Sequence, residues 1–190
     1  MAITLPTWLT LLRILLVPVL VISFYSPMAG TNVIAAILFV FIALTDWLDG
    51  WLARRYGMTS AFGAFLDPVA DKLTVTVVLF VIVQQDPSVL MAMLAAVIVG
   101  REISISALRE WMATIGQSTR VRVAWVGKIK TIAQMVALTL LLYRHDFLGL
   151  PIYTLGRWLL VVAAVLTLWS GFSYVRAAWP HMQDHSRRSP

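Results

Sequence analysis

Six apolar stretches follow one another along the chain, and they restrict its fold more than any other feature. Each approaches the ~20 residues that a helix needs to cross a bilayer. Hydrophobic residues make up 60% of the 190 positions and charged residues only 13%, which leaves little for a soluble domain. The stretches are approximately Thr10 to Tyr25, Asn32 to Arg55, Phe62 to Gln84, Ser88 to Trp111, Trp125 to Tyr143 and Ile152 to Ala178. The sequence therefore predicts an all-α integral membrane protein, with six transmembrane helices in one domain over residues 1–180 and a polar tail over 181–190.

The positive charges predict how this bundle lies in the membrane. If both termini are inside, 13 of the 15 Lys and Arg residues fall on the inner side, and only Arg144 and Arg157 fall outside. This bias is typical of the cytoplasmic side. We expect a multi-pass membrane protein, with the segment from Asp46 to Asp71 at the cytoplasmic face. The net charge of +6 is explained by anionic lipids and an anionic substrate, without a nucleic acid.

Four of the nine acidic residues lie between positions 46 and 71, at the ends of two apolar stretches. At ~100° per residue they form two acidic stripes, which we expect to face each other across a short turn. Four carboxylates this close repel one another and are costly to desolvate unless cations share the site. Oxygen ligands without Cys or His favour Mg²⁺ or Mn²⁺ over zinc. We therefore expect two divalent cations on Asp46, Asp49, Asp67 and Asp71.

A less demanding alternative is that these acids cap helices or form ion pairs with Arg54, Arg55 and Lys72. That reading suits one aspartate near a membrane surface better than four at helical spacing, since ionisable groups inside a membrane are functional candidates by default.

Small residues beside the acids would let a phosphorylated ligand approach the backbone, and an arginine fork could bind its phosphate. These candidate ligand-binding residues are Gly50, Ala53, Arg54 and Gly63.

A second charged set lies in the fourth and fifth stretches. Arg101 and Arg109 are two turns apart within the membrane, where Glu102 and Glu110 are the alternative ion-pair partners. The cations outnumber these acids once Arg120, Arg122, Lys128 and Lys130 are included. A positive surplus beside an acidic site predicts a pocket for a phosphorylated, water-soluble acceptor. Lys128 and Lys130 are about 200° apart on a helix, so we expect one of them, Lys130, to face this pocket.

The segment from Asp46 to Asp71 reads D-x-x-D-G-x-x-A-R, eight residues, then G-x-x-x-D-x-x-x-D. This pattern resembles the full signature of the CDP-alcohol phosphotransferase family. The resemblance implies the helical bundle of that family and a reaction at the diphosphate of a CDP-linked lipid. It further implies that the four aspartates hold the metals and that Asp71 is also the general base. The implied CDP contacts are Gly50, Arg54 and Ser60, with Thr10 and Arg13 beside the nucleotide pocket.

Four further segments, LPTWLTLLR, FLDPVADK, REISISALREW and VGKIKTIAQM, resemble bacterial family members that use sn-glycerol 3-phosphate. The resemblance implies that CDP-diacylglycerol and sn-glycerol 3-phosphate give phosphatidylglycerophosphate and CMP by direct attack. It also implies a homodimer in the bacterial inner membrane. Other acceptors stay open at this point, namely inositol phosphate, serine or phosphatidylglycerol. A small cation transporter is less well supported because the acids lie at one face and no repeat is visible, and a noncatalytic scaffold leaves the aspartates unexplained.

Overall fold

The computed structural model describes residues 4–56, 60–114 and 125–188, which form six α-helices and no β-strand. Four of the described helices are long and apolar enough to cross a membrane, with mean hydropathy between 1.8 and 2.1: α1, α2, α4 and the Ile152–Arg176 part of α6. The predicted all-α membrane protein with six helices is confirmed, and the chain is a multi-pass membrane protein. The helices are α1 (Leu5–Tyr25), α2 (Thr31–Tyr56), α3 (Ala61–Gln85), α4 (Val89–Thr114), α5 (Trp125–Tyr143) and α6 (Ile152–Arg188).

Two helices extend further than the sequence predicts. α1 begins at Leu5 rather than Thr10 and has Pro6 in its first turn, where the missing N–H of proline would have no helical partner anyway. α6 continues to Arg188, past the predicted end at Ala178, so it includes most of the segment expected to be a polar tail. The early start of α1 adds a turn at the end of the bundle that carries the acids.

All six helices contribute to one apolar core. α1 packs against both α2 and α3, α4 packs against α3 and α6, and α5 packs against α2 and most extensively against α6. Among the described residues, α2 and α3 have little direct contact with each other. In lipid, close packing rather than release of water stabilises such contacts. The largest fully buried apolar side chains are Leu20, Phe39, Leu79, Met91, Ile98, Leu138, Leu141, Leu142 and Leu160.

The two ends of the bundle carry different polar groups. Where α3 leads into α4, the Tyr153 hydroxyl donates to Asp86 Oδ2 at 2.6 Å, and Arg157 Nε lies 4.0 Å from the same oxygen. The hydrogen bond from Tyr153 lowers the pKa of the Asp86 carboxyl. The candidate site residues lie at the opposite end, where α2 ends and α3 begins. We call it the aspartate end.

Candidate active site

The four aspartates occupy the last turns of α2 and the first turns of α3. The described parts of the two helices stop at Tyr56 and resume with Ser60, which caps α3. The aspartates differ in exposure: the side chain of Asp49 is 5% exposed, whereas those of Asp46 and Asp71 are 41% and 49% exposed. Asp49 is therefore a buried member of the set, and Asp46 and Asp71 are accessible to a ligand.

Arg13 of α1 joins three of these carboxylates. Its Nη1 donates to Asp46 Oδ1 at 2.5 Å and to Asp71 Oδ1 at 2.6 Å, and its Nη2 donates to Asp49. The Arg13 side chain is only 1% exposed. A buried guanidinium is tolerated only with anionic partners, and the fixed fork of its N–H groups allows it to bind several at once. Because one nitrogen binds both, the Asp46 and Asp71 oxygens can be no more than about 5 Å apart.

The fourth aspartate also receives a donor from α1. Thr10, one turn before Arg13, donates to Asp67 Oδ1 at 2.5 Å. One turn earlier still, Thr7 Oγ1 lies 2.9 Å from Ser60 Oγ, and Ser60 caps α3 by accepting from the Gly63 N–H at 2.9 Å. A Cβ added at Gly63 would lie 2.9 Å from Thr7 Oγ1, which is too close. We call Thr7, Thr10 and Arg13 the polar face of α1, and this face holds the start of α3 against α1.

The two acidic stripes approach each other at Asp46 of α2 and Asp71 of α3, which bind the same nitrogen of Arg13. The sequence did not predict that α1 packs against both acidic helices, with its Thr10 and Arg13 side chains in contact with the acids. Periodicity identifies the face of a helix that carries a residue, but not the helix that packs there. Donors from α1 offset the repulsion among these carboxylates, which is strong at low dielectric.

The chemistry of the donor set fits hard divalent cations. All four side chains are carboxylates, and three of them bind a buried guanidinium, which shows that the cluster stabilises positive charge. Within the described residues, no three carboxyl or imidazole groups already form a metal-binding group in this arrangement. Arg13 binds one oxygen in each of three carboxylates, so their second oxygens could take part in holding a cation.

Gly50, Ala53 and Arg54 lie on α2 beside the acids. The Arg54 guanidinium lies against Gly50, since a Cβ added at position 50 would be 3.3 Å from Nη1 and 3.7 Å from Nη2. Arg54 is exposed and Ala53 is partly buried. The missing side chain at Gly50 thus lets an exposed guanidinium lie close to the helix backbone, next to the carboxylates. This position suits the binding of a phosphate that also approaches the acids.

A basic cluster lies on α4 and α5 at the same end, and we define it as Arg101, Arg109 and Lys130. Lys130 is buried, and its Nζ donates to Glu102 Oε1 at 3.3 Å; Gln134 Nε2 donates to the same oxygen at 3.3 Å. Arg101 and Arg109 make no ion pair within the described residues. One acid therefore faces three cations, and the two arginines retain their charges.

The two arginines are held by neutral groups on α6. Arg101 Nη2 donates to Ser170 Oγ at 2.8 Å, and Arg109 Nη2 donates to the Tyr174 hydroxyl at 3.0 Å. Arg101 is partly buried and Arg109 is exposed. The structure thus brings together three of the four cations proposed for the acceptor pocket. The side chain of Lys128, as well as Arg120 and Arg122, lies outside the described residues.

The sequence did not single out Thr7, Ser170 or Tyr174. All three are uncharged, and threonine, serine and tyrosine are common in membrane helices for packing reasons. A signal was nevertheless present: Thr7 precedes Thr10 and Arg13 at intervals of three residues, and Ser170 and Tyr174 are four apart. Both spacings put the side chains on one face of a helix.

Comparison with known proteins agrees with this site. The family model described as CDP-alcohol phosphatidyltransferase matches residues 3–169. The all-helical fold and the acidic site thus define a membrane enzyme of the transferase class, and the chain belongs to the CDP-alcohol phosphatidyltransferase family. Members of this family generally depend on divalent cations.

Several curated proteins similar to this chain carry the name "CDP-diacylglycerol--glycerol-3-phosphate 3-phosphatidyltransferase". The protein of Yersinia pestis (strain Pestoides F) is 50% identical, with 97% of this chain and 100% of the relative covered. The Sodalis glossinidius protein is 48% identical over the same shares. The Pectobacterium atrosepticum protein is 49% identical over 94% of this chain and 96% of its own length.

Proposed function

We propose that this enzyme transfers the phosphatidyl group of CDP-diacylglycerol to sn-glycerol 3-phosphate, which gives phosphatidylglycerophosphate and CMP. The names of relatives about 50% identical over nearly the whole chain support the two substrates. The observation that carries the proposal is the pairing of opposite charges at one end of the bundle. Four carboxylates gathered by Thr10 and Arg13 lie at the same end as a basic cluster with two arginines free of ion pairs in the described residues.

In this proposal, Asp46, Asp49, Asp67 and Asp71 hold two divalent cations, Mg²⁺ or Mn²⁺. Such cations, when bound, offset the charge of the diphosphate and polarise the phosphorus that is attacked. The carboxylate donor set supports this assignment, as does the cation dependence of the family.

Asp71 is the proposed general base. Its side chain is 49% exposed, and only Oδ1 accepts from Arg13. The other carboxylate oxygen can accept the proton of the acceptor's C1 hydroxyl as that oxygen attacks. The new bond joins the hydroxyl oxygen to the phosphorus of the phosphatidyl group, the bond from that phosphorus to the CMP oxygen breaks, and CMP leaves with the electron pair. Direct attack requires no covalent enzyme intermediate.

The CDP-lipid is proposed to bind next to the acids. Arg54, supported by Gly50 and with Ala53 beside it, is the candidate phosphate contact. Ser60 and Gly63 lie at the start of α3, and Thr10 and Arg13 lie across from them on α1. The named hydrogen bonds of Arg13 and Thr10 go to the aspartates or to Thr10's own helix, so their contact with CDP stays a prediction. Their direct role is to keep the carboxylates together.

The phosphate of the acceptor is proposed to bind Arg101 and Arg109, with Lys130 behind them and Lys128 as a further candidate. Two arginines that keep their full charge suit a phosphate dianion, which can accept from both guanidinium groups. Lys130 contributes less, because Glu102 already balances its charge at 3.3 Å.

We also propose the membrane location, the domain limits and the oligomeric state of the enzyme. The excess of Lys and Arg at the aspartate end supports a cytoplasmic active site in the bacterial inner membrane. Residues 1–180 would act as one catalytic domain with 181–190 as its tail, in a homodimer.

The test is turnover by the purified chain in vesicles that contain CDP-diacylglycerol. Four acceptors are compared, namely sn-glycerol 3-phosphate, inositol phosphate, serine and phosphatidylglycerol. CMP release should require sn-glycerol 3-phosphate together with Mg²⁺ or Mn²⁺, and a chelator should stop it. Release with another acceptor alone would overturn the acceptor assignment. Release that persists in excess chelator would overturn the cation assignment.

A further inference from the structure

Three residues on one face of α6 contact the two arginines of the basic cluster. Ser170 and Gly171 contact Arg101, and Tyr174 contacts Arg109. Ser170, Gly171 and Tyr174 are all buried. We call them the α6 cradle. The family model ends at residue 169, just before the cradle begins.

Ser170 fixes the head of Arg101 through an oriented hydroxyl. Its single proton goes to the Thr167 carbonyl oxygen at 3.0 Å, so its lone pairs face the Arg101 Nη2 that donates at 2.8 Å. Because the serine hydroxyl is tied to its own helix, it provides a fixed acceptor. The Arg101 guanidinium is therefore held without any loss of positive charge.

Gly171 makes room for the stem of the same arginine. A Cβ added at position 171 would lie 3.2 Å from Arg101 Cγ and 3.5 Å from Nε. The Arg101 stem thus packs directly on the backbone of α6. A larger residue here would push the guanidinium away from its present position.

Tyr174 holds Arg109 in two ways. Its hydroxyl accepts from Nη2 at 3.0 Å, and the Arg109 Cζ lies 4.8 Å from the centre of its ring. A hydrogen bond and a cation–π contact together restrict a long side chain that is otherwise exposed. The ring itself is buried, with 9% exposure, so it provides a firm support.

The neutral contacts that hold Arg101 and Arg109 differ from the ion pair that holds Lys130. Glu102 cancels the charge of Lys130, whereas serine, glycine and tyrosine leave Arg101 and Arg109 fully charged. A phosphate dianion binds best to two cations that no acid has paired. The α6 cradle holds both arginines, and neither forms an ion pair within the described residues.

We propose that Ser170, Gly171 and Tyr174 are positioning residues that set the separation and direction of Arg101 and Arg109, and that they thereby select an acceptor alcohol carrying a phosphomonoester. The proposal rests on the function proposed above. It adds the residues that distinguish a phosphorylated acceptor from the same alcohol without its phosphate.

The experiment compares the full-length enzyme with Tyr174→Phe and Ser170→Ala, which remove one hydroxyl each. Both should raise the KM for sn-glycerol 3-phosphate about tenfold, with kcat and the KM for CDP-diacylglycerol changed less than about twofold. The inhibition constant of inorganic phosphate, used as a probe of the same pocket, should rise in parallel. The preference for sn-glycerol 3-phosphate over glycerol should fall by a similar factor.

Ser173→Ala is the matched control. Ser173 donates to the Trp169 carbonyl oxygen at 3.0 Å on its own helix and is exposed. The same chemical change three residues away should leave all constants unchanged. Gly171→Ala should act like Ser170→Ala because it displaces Arg101, and an unchanged KM for CDP-diacylglycerol reports that each variant is folded.

The outcomes separate the two proposals. If the unmodified enzyme uses sn-glycerol 3-phosphate but Tyr174→Phe and Ser170→Ala leave its KM and the phosphate inhibition unchanged, the cradle has no positioning role and only this inference is overturned. If the unmodified enzyme does not use sn-glycerol 3-phosphate, the proposed function is overturned and this inference with it.

Discussion

Two charged clusters lie at the aspartate end: the basic cluster and an acidic cluster, which we define as Asp46, Asp49, Asp67 and Asp71. They differ in how their charged side chains are held in place. In the acidic cluster, α1 supplies a donor to each of four carboxylates, and one of the donors is a buried cation. In the basic cluster, two of three cations are held by neutral residues of α6, and only Lys130 faces an acid. The negative charge of the acidic cluster is therefore partly balanced, whereas the positive charge of the two arginines in the basic cluster is not.

The difference indicates what each cluster can bind. Four carboxylates against one guanidinium leave a negative surplus that attracts cations, whereas three cations against Glu102 leave a positive surplus that attracts a phosphate. Lys72 follows Asp71 in the chain and donates to Ser106 on α4, the helix that carries Arg101 and Arg109. A reaction between a diphosphate and a phosphorylated alcohol needs both surpluses side by side.

The largest expected effect comes from neutralising the proposed base. Asp71→Asn keeps the shape and the Arg13 contact but cannot accept a proton, so turnover should fall by about 10³-fold while the KM for CDP-diacylglycerol changes little. The measurement is CMP release at saturating substrates. Asp146→Asn, the same change in an exposed loop, is the control. Near-normal turnover of Asp71→Asn would show that Asp71 is not the general base.

Arg13→Gln breaks the charge balance of the acidic cluster. Loss of the buried cation should lower the free energy of unfolding by about 3 kcal/mol, near the low end for buried ion pairs because Asp46 and Asp71 are half exposed and partly screened. Divalent cations should restore part of this loss, since they can balance the same carboxylates. Thermal unfolding with chelator and with Mg²⁺ measures both effects.

Arg55→Gln, at an exposed position near the end of α2, is the matched control for that experiment. It removes the same charge without touching the aspartates. Equal Tm values for Arg13→Gln and Arg55→Gln in chelator would contradict a stabilising role for the guanidinium.

The sequence predicts the charged residues of both clusters better than the uncharged residues that hold them. Charged residues in apolar helices are conspicuous, so Asp46, Asp49 and the arginines could be identified from composition and periodicity alone. Most helix limits followed from the apolar stretches, but the start of α1 at Leu5 and the end of α6 at Arg188 did not. Uncharged partners such as Thr7 and Tyr174 could not be identified, because their role depends on which helices pack together, and a helical period carries no information on that.

Arg109→Ala removes one cation from the basic cluster and should leave the acidic cluster unchanged. Removal of a guanidinium that binds the acceptor's phosphate should raise the KM for sn-glycerol 3-phosphate about tenfold or more, and the KM for CDP-diacylglycerol should rise less. Steady-state kinetics with each substrate varied in turn measures the two constants. An unchanged acceptor KM would take Arg109 out of the pocket.

Gly63→Ala should have the smallest effect, and it tests whether the polar face of α1 is needed to hold the acidic cluster together. The new methyl group would lie 2.9 Å from Thr7 Oγ1 and 3.0 Å from Ser60 Oγ, so α1 and α3 must separate slightly. We expect a loss of about 1 to 2 kcal/mol in unfolding free energy, as is typical of overpacking. Gly100→Ala is the control, because nothing lies within 4 Å of a Cβ at that position.

A double-mutant cycle identifies the contact responsible for this loss. If the contact with Thr7 is the cause, Gly63→Ala should cost less in a Thr7→Ala background, where the nearest atom is absent and only the contact with Ser60 remains. The measurement is unfolding in detergent for both single variants and the double variant. Equal costs in the two backgrounds would mean that α1 does not hold α3 through Thr7, and that Thr10 and Arg13 alone connect it to the acids.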